Sequence, residues 1–159
     1  MKYKEKPLAD ITLRKYEKPY QLTGRDLAKK VCLSLGLLQP GDSRDVMVDV
    51  FHSIILAEKP LSSVEIEKRA KKSRKENKLP MTGITPPNIR RQIKRLKDAL
   101  LVERVGHNYR LAEGERLHTI FAERIEKLYL PAILSRVREY CEAIEKDCEI
   151  KKNERRGDD

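Results

Sequence analysis

A chain of 159 residues, 39% hydrophobic and 38% charged with no Trp, suffices for one domain with helical extensions, and its apolar residues recur too regularly for disorder throughout. The formal net charge of +10 points to a polyanionic partner. The polar start Met1-Lys2-Tyr3-Lys4 is no secretory signal, no run approaches the roughly 20 apolar residues of a membrane span, and Cys32, Cys141 and Cys148 form no CxxC pair for zinc, so a cytoplasmic protein with no membrane partner, metal or cofactor is expected.

Residues 1–21 are basic, are interrupted by Pro7 and Pro19, and read as an arm, extended at Ile11-Thr12-Leu13. Residues 22–42 read as an N-terminal helix and turn. Thr23 can cap the helix, with Asp26 three residues on as a short-chained variant of the capping box. Leu27, Val31 and Leu35 supply its apolar stripe before Gly36 stops it, and Gln39-Pro40-Gly41-Asp42 is turn chemistry. Asp42 or Ser43 then caps a second helix. Its Met47, Val50, Phe51, Ile54 and Ile55 follow the i, i+3, i+4, i+7, i+8 spacing of one buried face, ending at Glu58-Lys59 before Pro60. His52 lies one step off that stripe and reads as a boundary residue, not a catalytic base.

Ser62 and Glu65 have capping-box spacing, so a third helix starts there, with Val64 or Ile66 and Ala70 toward the core. It dissolves into Lys71-Lys72-Ser73-Arg74-Lys75-Glu76-Asn77-Lys78, and the loop continues to Pro80 and Gly83. Thr85 caps a fourth helix, about 86–99, with Pro86 at its first position, where Pro costs no hydrogen bond. At about 100° per residue, Ile89, Ile93, Leu96 and Leu100 face inward. Pro87, Arg91, Lys94 and Asp98 point away, flanked by Asn88 and Arg95 on one side and Arg90 and Lys97 on the other. Such a helix can lean on its own domain and lie in an anionic groove. The charge is concentrated to match: residues 61–99 hold 12 Lys/Arg against four acids, whereas residues 114–152 hold eight of each. Residues 101–105 and 108–111 read as two short strands around Gly106-His107, with Gly106 supplying the positive φ of a tight turn.

The stretch Leu61 through Ala70, then Ile89-Arg90-Arg91-Gln92-Ile93-Lys94-Arg95-Leu96, then Leu101-Val102-Glu103-Arg104-Val105 and Tyr109-Arg110-Leu111, resembles winged helix-turn-helix regulators of bacteria and archaea. The likeness is to the broad superfamily that includes MarR-, PadR- and ArsR-like proteins. It covers roughly residues 43–117. It implies that the helix at 86–99 enters the major groove and that the hairpin tip, residues 104–110, lies along the backbone or minor groove. Two departures stand out. The connection at about 73–84 is longer than the family's usual turn, and Ala99 stands where many members carry Gly.

Residues 114–149 read as C-terminal dimerisation helices. Leu117, Ile120, Phe121, Ile125 and Leu128 form one stripe, Pro131 should break or kink the helix, and Leu130, Leu134, Val137, Cys141, Ile144 and Cys148 then repeat at spacings of 4, 3, 4, 3 and 4, an a/d seam. That seam suits a homodimer; packing on the chain's own N-terminal helix is the alternative. The thiols read as buried, and residues 150–159 as a disordered tail.

The expected fold is therefore mainly α with a small β-hairpin (α+β): a winged helix-turn-helix at 43–113 with an N-terminal helix and a long C-terminal helical extension. The expected function is sequence-specific binding of double-stranded DNA by a dimeric transcriptional regulator. Asn88, Arg91, Lys94 and Arg95 are candidates for base edges, because Arg and Lys suit guanine and Asn suits adenine. Lys71, Lys72, Arg74, Lys75, Lys78, Arg90 and Lys97, with Arg104, His107 and Arg110 of the hairpin, are candidates for phosphates. The alternative is a winged-helix module for RNA, for protein contact in a larger assembly, or for chromatin without sequence choice. Only Tyr109 could stack beside the basic surface, which argues against single strands. With no glycine-rich phosphate loop, no HxxxH or HxH spacing and no nucleophile-elbow Ser, catalysis is not expected. Abundant Lys and Glu with few Gln and Asn suit a thermophilic source.

Overall fold

A computed structural model describes residues 4–158. The fold is mainly helical with one small antiparallel sheet, and it divides into two compact units, residues 11–121 and residues 122–158 with the N-terminal segment up to Asp10. Residues 1–3 of the expected arm and residue 159 of the expected tail lie outside the described residues.

In the first unit, α1 (Gly24–Ser34), α2 (Val46–Leu56), α3 (Ser63–Glu76) and α4 (Pro86–Asp98) precede a hairpin of β1 (Val102–Val105) and β2 (Asn108–Leu111), and a short α5 (Leu117–Ile120) follows. The apolar run of α2 explains its central place. Val46, Met47, Val48, Val50, Phe51 and Ile54 are all buried, so α2 packs against α1, α3, α4 and β2 at once. Ile66 of α3, Ile89, Ile93 and Leu96 of α4, and Leu61 and Leu101 beside them complete the core. Each such side chain contributes about 1.5–3 kcal/mol by leaving water.

The hairpin pairs Val102 with Leu111 and Val105 with Asn108, leaving Gly106 (φ 62°) and His107 as its two-residue turn. Gly106 takes the left-handed conformation that such turns demand. Leu61, read from sequence only as the approach to α3, adds itself to β2. Its N–H donates to Tyr109 O at 2.9 Å, and Tyr109 N–H donates back at 2.8 Å.

Three helices end alike. After α1, α3 and α4 the chain turns through a left-handed residue, Gly36, Lys78 and Leu100 respectively. The next N–H then reaches back to the last turn: Leu37 to Cys32 O (2.9 Å), Leu79 to Arg74 O (2.8 Å), Leu101 to Leu96 O (3.1 Å). This is the six-to-one bond of a Schellman ending. At Gly36 only glycine fits, since a Cβ there would stand 2.7 Å from Thr12 O. The segment around Thr12 is docked rather than free: Arg14 N–H donates to Ser34 O (2.9 Å), and its guanidinium donates to Leu33 O (2.8 Å) and Leu38 O (3.2 Å). Ile11-Thr12-Leu13, expected as extended, pairs with no strand.

Several boundaries differ from the sequence reading. Thr23 occupies the N-cap of α1 but its side chain makes no capping bond, and the buried face of α1 is Arg25, Ala28 and Cys32. Leu27, Val31 and Leu35 are half-buried and instead line an apolar groove with Tyr16, Leu117 and Phe121. Asp45, not Asp42 or Ser43, is the N-cap of α2; Asp42 Oδ1 accepts from Arg44 N–H in the preceding turn. The capping box of Ser62 and Glu65 forms as expected, with bonds of 2.7 and 3.2 Å, and Ile66 rather than Val64 faces inward. Helix α3 continues to Glu76 instead of dissolving at Lys71, so the connection to α4 is shorter than 73–84. Leu100, expected on the inward face of α4, is half-buried in the turn beyond it.

A π-helical segment, Phe121–Tyr129, which apart from Phe121 belongs to the second unit, passes directly into α6 (Leu130–Gly157). Pro131, expected to break or kink the helix, falls just after the π-helical segment gives way to α6; it removes one backbone hydrogen bond, and the chain stays helical through it. The Asp10 N–H donates to the Tyr129 hydroxyl (3.1 Å), which donates back to Asp10 O (2.9 Å). Residues 150–157, read as a disordered tail, continue α6. No helix among the described residues is long and apolar enough to cross a membrane.

Candidate nucleic-acid interface

Helix α4 is built as its pattern requires. The Thr85 hydroxyl accepts from Asn88 N–H (3.4 Å), Pro86 and Pro87 open the first turn, and Ile89, Ile93 and Leu96 anchor the inner face. Arg90, Arg91, Lys94 and Lys97 are exposed on the remaining surface. Among the described residues, Arg90, Arg91 and Lys97 have no carboxylate within ion-pair distance, while Lys94 pairs with Asp98 at 2.8 Å. Lys75, at the end of α3, and Lys78, in the turn beyond it, are exposed and likewise unpaired. Lys94 apart, no carboxylate among the described residues comes within ion-pair distance of these side chains.

Other candidates are engaged by their own domain. The Asn88 amide donates to Gly83 O (2.6 Å) and accepts from Gln92 Nε2 (3.0 Å), which occupies both of its ends. Arg95 donates to Leu37 O (2.8 Å) and to Gln92 Oε1 (2.9 Å), tying α4 to the segment after α1. Neither is free for a base edge as it stands. Lys71 is paired with Glu67 (2.8 Å) and Lys72 with Glu76 (3.9 Å), exposed pairs that screening weakens. At the hairpin tip Arg104 donates to Gly106 O (2.7 Å) and lies 3.2 Å from His107 Nδ1, so these two candidates are brought together. Arg110 is held by Glu103 at 2.8 Å.

Arg74 is the clear correction. Expected as a phosphate contact, it is 2% exposed. Its guanidinium donates to Asp45 (2.8 Å), Asp49 (2.9 Å) and Pro80 O (2.6 Å). Arg25 of α1 holds Asp49 through two bonds of 2.8 and 3.0 Å and reaches Asp45 at 3.0 Å, and the Ser73 hydroxyl donates to Asp49 at 2.8 Å. Two arginines and two aspartates from α1, α2 and α3 thus neutralise one another inside the domain. Burial alone would raise the Asp45 carboxyl, but hydrogen bonds from Arg74 and Arg25 outweigh it and hold the group below its ordinary value. The sequence carried a signal for this cluster: Asp49 interrupts an otherwise apolar run, and Arg74 lies four and eight residues beyond Ala70 and Ile66, on the same helical face.

Cys32 is buried, which pushes its thiol up to about 12, whereas Cys141 and Cys148, also expected buried, are exposed. The dimerisation candidates all lie on α6, which has no buried residue. Leu134, Val137 and Ile144 are each more than half exposed, and Leu130 is half-buried. Among the described residues no group of three or more His, Cys, Asp or Glu side chains is placed to hold a metal. Set beside known proteins, the chain matches no family model, no curated protein and no solved structure.

Proposed function

We propose that this protein is a cytoplasmic, homodimeric transcriptional regulator that binds double-stranded DNA through a winged helix-turn-helix. In this reading α3 and α4 are the helix-turn-helix, α4 enters the major groove, and the β1–β2 hairpin is the wing against the backbone. The observation that carries it is the outer face of α4. Among the described residues no carboxylate lies within ion-pair distance of Arg90, Arg91 and Lys97, which stand exposed on a helix whose opposite face is fixed in the core. Arg91, nearly opposite the buried stripe, is the principal base reader, joined by Lys94 once Asp98 releases it. Lys75, Lys78, Arg90 and Lys97 supply phosphate contacts. A two-fold dimer presents two such helices about one DNA turn apart, roughly 34 Å, and favours a palindromic site.

The test is fluorescence anisotropy against random-sequence duplex DNA, single-stranded DNA and folded RNA across about 50–300 mM salt, the range in which phosphate contacts express themselves. The expected result is duplex preference with a steep loss of affinity as salt rises. Weak binding to all three overturns the reading, and preference for folded RNA keeps the fold and moves the function.

A further inference from the structure

Helix α6 is 28 residues long, and none of them is buried. Most helical stability in proteins comes from packing an amphipathic face, and among the described residues nothing in this chain buries one on α6. Its apolar residues nevertheless keep a seven-residue period. Leu134, Cys141 and Cys148 fall at the a positions, and Leu130, Val137 and Ile144 at d. The flanking positions decide what this seam fits. Ile133, Tyr140 and Asp147 are at g; Arg138, Glu145 and Lys152 are at e.

We propose that the seam takes a second copy of α6, parallel and in register, as a two-stranded coiled coil. This rests on the homodimer reading above and gives that dimer an orientation. In a parallel pair each g side chain faces the e side chain five residues on in the partner. That sets Asp147 against Lys152 of the partner subunit on both sides of the seam, with Tyr140 facing Glu145 of the partner subunit, and it repeats every apolar layer against itself. Lys151 and Arg155, the next d and a positions, meet their own copies only beyond the last apolar layer, where long side chains reach out to water. The antiparallel registers fare worse. The one that keeps every layer apolar brings Arg138 against Arg138 of the partner subunit. The one that pairs Arg138 with Glu145 of the partner subunit puts Lys151 and Arg155 against the other helix's leucines, Leu134 and Leu130. Asp147 already touches Lys151 of its own helix at 2.9 Å, and an acceptor carboxylate can serve both lysines.

The parallel pair stacks Cys141 on its counterpart and Cys148 on its counterpart, and neither antiparallel register places any two of these thiols in one layer. The experiment uses the full chain as Cys141→Ser and Cys148→Ser single variants, with Cys32 out of reach in the core. Mass in solution is measured by light scattering. Each variant is then treated with diamide, which takes up the two thiol hydrogens as the S–S bond forms. A mass twice that of one chain, with both variants cross-linking, is the expected result. Ile144→Asp is expected to return the protein to one chain and to abolish the cross-link, with urea unfolding of the first unit unchanged. A two-chain mass with no cross-link in either variant overturns the parallel register and leaves the homodimer standing. A mass of three or four chains overturns the two-stranded seam. A single-chain mass overturns the homodimer itself.

Discussion

Asp49 has no solvent-exposed surface, and its two oxygens are shared among Arg25, Arg74 and Ser73. Removing its charge leaves two buried guanidiniums with one carboxylate, Asp45, between them. Breaking one partner out of a buried ionic cluster costs about 3–5 kcal/mol, because the remaining charge stays out of water. Asp49→Asn is therefore expected to lower the urea midpoint severely, while Arg91→Ala, on the open face of α4, stays within about 0.5 kcal/mol of the parent. Equal midpoints for the two variants would sink the account of the cluster. Lys78 offers a change of opposite sign. It is exposed and holds φ at 53°, a conformation that costs an L-residue about 1–2 kcal/mol and glycine much less. After the extra entropy that glycine loses on folding, Lys78→Gly is expected to stabilise by about 0.5–1 kcal/mol in the same urea measurement. A destabilised variant would mean that the Lys78 side chain does more than cap α3.

Among the elements, α4 has a buried face and an exposed cationic one, so under the proposed function substitutions on the two should have separable effects. Arg91→Ala is expected to cost about 1–3 kcal/mol on a selected duplex and to relax choice at one base pair. Lys75→Ala should weaken all duplexes evenly and reduce the salt slope by about one. Asp98→Ala releases Lys94 and is expected to tighten binding at low salt, an effect that fades as screening grows. Anisotropy titrations of the three variants check this, and an Arg91→Ala protein that keeps both affinity and choice would remove α4 from the groove. Helix α4 and the hairpin were legible in the sequence because their signals are local: a clean 3.6-residue stripe, Thr85 before Pro86, and Gly106 between two short apolar runs. The end of α3 was not. A stretch rich in Lys and Arg reads as solvated loop, and only the aspartates of α2, distant in sequence, turn Arg74 inward and extend the helix. The hydrogen bonds of Asn88 and Arg95 within the domain were not legible for a related reason, since periodicity gives the direction of a side chain and not its hydrogen-bond partners. The bridge from Leu61 to Tyr109 is a single residue long, too short for any alternation to announce it.

Across the whole molecule, two electrostatic systems respond to different variables. Under the proposed function the exposed cations of α4 and of the end of α3 act through long-range attraction, so salt should govern them. The buried cluster is shielded from salt, and pH governs it. The Asp45 carboxyl is held below its ordinary value in the folded protein, so the folded state favours its ionised form. That contribution is complete above the unfolded value, near pH 4, and is lost as pH falls through the depressed folded value. Burial lowers the His52 imidazole too, with the Asp49 charge opposing and the Arg25 charge adding to the shift. Its neutral form is the folded one, so its share is complete above about pH 6.5 and declines as pH falls through its folded value. Stability should accordingly ease slightly between pH 7 and 5 and drop steeply below pH 4. Urea midpoints taken at pH 7, 5.5, 4 and 3 measure this limb, and Asp45→Asn, already destabilised at pH 7, should show a shallower one. Raising salt from about 50 to 300 mM at pH 7 is expected to leave the midpoint nearly unchanged while duplex affinity falls by orders of magnitude. A midpoint that collapsed with salt, or stayed flat down to pH 3, would show that the arginine–aspartate cluster is not what holds α1, α2 and α3 together.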